Sequence, residues 1–134
     1  MEGIEENLAL VPAHYPGWLV RVYYDLAAGD PTLDRLCRLA CANPALDLCY
    51  VRALPSSGDI SRIFAMNWRF FPTLDPQVNK SNSQCKPFIR TLKVDAFVSR
   101  DLDSRINSRE AAAVSAWSSG SHHFHFMRDH PAHG

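Results

Sequence analysis

The sequence predicts an α/β fold with a mostly parallel sheet and flanking helices. Three observations carry that expectation. Short runs rich in aromatic and β-branched residues alternate with segments of helical period. Helix-start signals, Asp30-Pro31 and Asn107 with Glu110 three positions on, fall between the runs. Charged residues collect where the runs end, and in parallel sheets ligands bind at the carboxyl ends of strands.

Taken in order, residues 3–14 read as a helix with Ile4, Leu8 and Val11 on one face, ending at His14-Tyr15-Pro16-Gly17. WLVRVYYD, 18–25, is strand-like. Asp30 is an N-cap followed by proline at the first helical position. Leu33, Leu36, Cys37 and Ala40 then form an apolar stripe that Asn43-Pro44 ends. LDLCYV, 46–51, is a second strand. A helix over 60–71 follows, with Ile63, Phe64, Trp68 and Phe71 on its bulky side and Pro72 as its stop. DAFVS at 95–99 and FHFM at 124–127 are the third and fourth strands, separated by the helix EAAAVSAW. Residues 79–94 lack a clear period, and connections in such folds commonly run about 2–6 residues. They read as an insertion or loop within a single domain spanning 1–134.

At 134 residues, 46% of them hydrophobic, the chain can bury a substantial core. Fourteen basic residues balance fourteen acidic ones, so no global field favours nucleic acid or an anionic membrane. No apolar run approaches the ~20 residues of a membrane span, and the acidic start MEGIEENLAL is unlike a secretory signal. Localisation is left open, with the cytoplasm as the default. Cys37, Cys41, Cys49 and Cys85 show neither zinc nor disulfide-framework spacing and read as reduced, mostly buried thiols.

The most informative stretch is VSRDLDSR, 98–105. Asp101 and Asp103 point to one side of an extended segment and suit a hard divalent cation, Mn²⁺ or Mg²⁺. Arg100 and Arg105 can grip phosphate oxygens. Asp25 and Arg128-Asp129-His130 end other strand-like runs and join the candidate phosphate-binding set. The plainer reading is an ion-paired surface turn.

The segments YPGWLVRVYYD, DLCYVRALP, NWRFFPTLDPQV, DAFVSRDLDSRINSREAAAV and FHFMRDHPAHG together resemble a poorly characterised animal family of glycosyltransferase-like proteins. The resemblance spans Tyr15 to His133. It implies a partial Rossmann-like sheet of the GT-A type, with Asp101 and Asp103 as a D-x-D that bridges a metal to a nucleotide sugar. It also implies that Arg69, Arg100 and Arg105 line the donor site. Relatives run directly from a DPQV-like segment into the acidic strand, begin with one further strand and continue into a glycine-rich segment. The expectation is therefore an incomplete domain, inactive as it stands and able to self-associate through exposed sheet edges.

Two other classes compete. A non-catalytic binding module would use the same charges without turnover. A haloacid dehalogenase-type phosphohydrolase also places D-x-D after an apolar strand, but its motif continues into a Gly-Thr-like turn that Ser104-Arg105 does not supply. His122, His123, His125, His130 and His133 crowd the end of the sequence without a spacing that completes a zinc set. Trp18, Trp68 and Trp117 lie in apolar faces and are expected in the core.

Overall fold

The computed structural model describes residues 2–55, 57–74, 77–79 and 91–127. Its centre is a parallel strand pair, β1 (Val20–Tyr24) and β2 (Leu46–Tyr50), in register from Val20↔Leu46 to Tyr24↔Tyr50. Helix α1 (Glu2–His14) precedes β1, and α2 (Pro31–Ala42) connects the two strands. The local chemistry explains both helix boundaries. Ile4, Leu8 and Val11 recur at helical spacing and are buried, and Gly17 takes the positive φ of 84° that turns the chain into β1. At α2 the Asp30 side chain accepts from the Thr32 amide at 2.7 Å, and Pro31 needs no amide partner.

Strand alternation divides the core. Val20, Val22, Leu46 and Leu48 face α1 and α2, packing with Ile4, Leu8 and Leu36. On the opposite face Tyr23 and Cys49 pack against Val51, Leu54, Ile60, Trp68 and Phe71. A third cluster joins Val11, Tyr15 and Ile106 to Trp18 and to Ala111 and Val114 of α3 (Ser108–Ser118). Trp18 and Trp68 pack against these clusters while half-buried, and Trp117 belongs to none of the three.

The remaining elements depart from expectation. The helix expected over 60–71 is a 3₁₀ helix, Ala65–Thr73. Trp68 and Phe71 point inward at a spacing of three, which suits three residues per turn, while Phe64, Met66 and Phe70 stay exposed. DAFVS at 95–99 is not a strand, because no neighbour among the described residues pairs with it. FHFM at 124–127 is irregular too, with Phe124 79% and Phe126 88% exposed. Among the described residues the mostly parallel sheet reduces to one parallel pair plus an antiparallel pair, β3 (Gln77–Asn79) and β4 (Thr91–Lys93). That second pair brings together the ends of the expected insertion, whose residues 80–90 lie outside the described set. Among the described cysteines, Cys41 is disulfide-bonded, a correction to the all-reduced expectation, whereas Cys37 and Cys49 are not in a disulfide. Cys41 is exposed at the last turn of α2, where another segment can reach it. Among the described residues no helix is long and apolar enough to cross a membrane.

Candidate functional site

The acidic turn is built around a residue of α1. Asn7 is only 4% exposed, and its side-chain amide donates to the Ser104 carbonyl at 3.0 Å and to that of Leu102 at 3.5 Å. Its oxygen accepts from the Ile106 amide at 3.1 Å and from Arg100 Nη1 at 3.4 Å. One side chain therefore brackets the loop from residue 100 to 106. Gly3, one turn earlier, permits the close approach, since a methyl group there would run into the Leu102 carbonyl.

Arg100 is the second support of the turn. It pairs with Glu110 of α3 at 3.1 Å and donates to the Ser104 carbonyl at 3.1 Å. Glu110 also accepts from the Tyr15 hydroxyl at 3.0 Å. Burial together with that bond pushes the Tyr15 pKa up to about 12. The Glu110 amide donates to the side chain of Asn107, which caps α3, while the Glu110 carboxylate serves the turn.

The two aspartates differ. They sit on a turn closed by the Ser104 amide, which donates to the Asp101 carbonyl at 3.2 Å, and not on the expected extended segment whose alternation would put both on one side. Asp101 is 59% exposed at its side chain and forms a 2.6 Å ion pair with Arg69, whose Nε also donates to the Met66 carbonyl at 3.1 Å. Asp103 is exposed, and its main-chain oxygen accepts from Arg105 Nη1 at 2.6 Å. Arg105 also pairs with Glu6 of α1. Arg69, Arg100 and Asp101 thus gather at one place. Asp25 does not join them: Arg52 holds it through two bonds of 2.6 and 2.9 Å at the end of β1. Arg128, Asp129 and His130 lie outside the described residues.

A cleft of about 700 Å³ opens beside this turn. Val94–Leu102 form one wall, and Leu19 with the β1 residues Val20–Tyr23 another; Trp18, Trp68 and Arg69 also line it. Its floor carries a buried cross-strand ion pair, Arg21 Nε to Asp47 Oδ2 at 2.8 Å, with the side chains 10% and 4% exposed. Burial opposes the Arg21 charge, but neighbouring Cys49 and Asp47 favour it, and the balance raises its pKa.

Among the described residues no three His, Cys, Asp or Glu side chains converge as a metal cage. Asp101 and Asp103 are nevertheless exposed hard-oxygen donors on one short turn. That set fits a cation completing its shell with water and phosphate oxygens, as Mg²⁺ commonly does with one or two carboxylates. It does not fit a metal held by protein alone.

Sequence reasoning missed Asn7, Arg21 and Asp47. Each left a signal, because Asn7 sits in the apolar stripe of α1, and Arg21 and Asp47 interrupt strands that are otherwise largely apolar. No protein-family model, curated protein or solved structure matches the chain significantly.

Proposed function

We propose that the chain is a glycosyltransferase-like donor-binding domain, in which Asp101 and Asp103 hold a divalent cation to the diphosphate of a nucleotide sugar. A GT-A-type, Rossmann-like sheet is part of that proposal. The observation that carries it is the meeting of Asp101, Arg69 and Arg100 beside a cleft of about 700 Å³, large enough for a nucleotide-sized ligand. When bound, the cation would neutralise charge on the departing diphosphate. Asn7 and Glu110 fix the turn, and Arg69 supplies a guanidinium for phosphate oxygens.

Calorimetry with Mn²⁺ and a panel of nucleoside diphosphates tests the reading. Metal and nucleotide should bind together better than either alone, and Asp103→Asn should abolish that synergy. The exposed Asp103 side chain is remote from the core, so folding should survive the change. Absence of metal-dependent binding across the common bases would sink the donor site. A non-catalytic binding module is favoured instead by the pairing of Asp101, Arg100 and Arg105 within the protein itself. Metal-dependent binding with no sugar transfer or hydrolysis would select it.

A further inference from the structure

The ion pair between Arg69 and Asp101 occupies the carboxylate that the donor reading assigns to the metal. We propose that Arg69 is an internal counter-cation, held on Asp101 until metal and diphosphate arrive together and divide the pair between them. This inference rests on the donor-site reading and adds the regulation of that site.

The geometry gives the pair two separable halves. Arg69 reaches Asp101 through Nη2 at 2.6 Å while its Nε donates to the Met66 carbonyl at 3.1 Å. The guanidinium is thus anchored at one edge by the 3₁₀ helix, and its other edge can change partners without a backbone movement. Asp101, 59% exposed, is open to an incoming cation, whereas Arg100 is committed to Glu110, Asn7 and the Ser104 carbonyl.

Consider each ligand alone. A cation that takes Asp101 strands the Arg69 charge beside a second positive charge. A diphosphate that takes Arg69 leaves the Asp101 carboxylate bare beside a polyanion. Arriving together, the cation takes Asp101 and the phosphate takes Arg69, so both halves keep an opposite charge. The pair thereby makes metal and nucleotide binding cooperative, and it disfavours loading by metal alone. Because the pair is partly exposed to solvent, its worth is about 0–1 kcal/mol, equivalent to as much as roughly fivefold in affinity.

Mn²⁺ titration followed by water-proton relaxation, with and without a nucleoside diphosphate, reads each half in the full chain. Arg69→Gln should tighten Mn²⁺ binding in the absence of nucleotide by about two- to fivefold. The same change should shrink the metal–nucleotide coupling. Arg69→Lys, which keeps the charge, should restore weak metal-only binding and most of the coupling. Asp101→Asn should tighten metal-free nucleotide binding by releasing Arg69. Native synergy with unchanged Mn²⁺ affinity in Arg69→Gln would overturn the counter-cation role and spare the donor site. Tighter Mn²⁺ binding in Arg69→Gln with no nucleotide synergy in the native protein would support the release of Asp101 and overturn both the joint exchange and the donor reading. Absence of Mn²⁺ binding in every protein, with or without nucleotide, would overturn both.

Discussion

Replacing Asn7 by alanine should loosen the acidic turn more than any change within the turn itself. The side chain is buried, and two of its bonds are firm, 3.0 Å to the Ser104 carbonyl and 3.1 Å from the Ile106 amide. Ser104 keeps a bond from Arg100 in the variant, but the buried Ile106 amide loses its acceptor. A stranded buried donor costs about 1–3 kcal/mol, and the second lost bond adds about 0.5–1.5 kcal/mol. Alanine is the better helix former by roughly 0.5 kcal/mol. The net expectation is about 1–4 kcal/mol, a large share of a typical stability of about 5–15 kcal/mol. Urea unfolding followed by tryptophan fluorescence should show a lower midpoint with the slope unchanged. Hydrogen exchange at the Ile106 amide should accelerate beyond the global change. Asn7→Leu is the decisive companion, because it keeps the branched shape at a somewhat larger volume and deletes every bond. If Leu proves as stable as Asn, position 7 is only a packing site and the bracket argument fails.

Two further outcomes follow from buried polar contacts. Asp47→Ala leaves the Arg21 guanidinium without its carboxylate partner beneath the cleft and should cost about 3–5 kcal/mol in urea unfolding; Asp25→Ala, at an exposed pair, should shift the midpoint little. An Asp47 variant no weaker than the Asp25 variant would mean that the floor of the cleft is wet. Tyr15 should confer a distinct alkaline sensitivity. Its folded-state pKa is raised from 10.0 to about 12, so the neutral phenol favours folding; that contribution is complete below pH 10 and is lost as pH climbs through about 12. Tyr15→Phe should be less stable than the native protein near neutrality, yet lose less on going from pH 9 to 12. Parallel stability-versus-pH curves for the two would refute the assignment.

What the sequence disclosed depended on whether the cause was local. Asp30-Pro31 caps α2 through a bond to Thr32 two residues away, and the spacing of Ile4, Leu8 and Val11 fixes the buried side of α1. Both are legible because neither requires knowledge of distant neighbours. DAFVS carries strand-forming residues as plainly as LDLCY does, yet only LDLCY becomes a strand, because β1 lies beside it to complete the ladder. The same division runs through the site. An acidic turn after an apolar run could be read directly from Asp101 and Asp103. What holds it comes from Asn7, Glu110 and Arg69, contributed by α1, α3 and the 3₁₀ helix. Asn7 could have been noticed as the polar residue on an apolar stripe, since a buried amide needs partners and the backbone of a long-range turn is a rich source of them. The identity of Asp101's partner had no such signal, because Arg69 is one of several exposed or half-exposed arginines and only tertiary packing selects it. The carboxylate of the proposed metal site was therefore legible before Arg69, the residue that holds it in the structure.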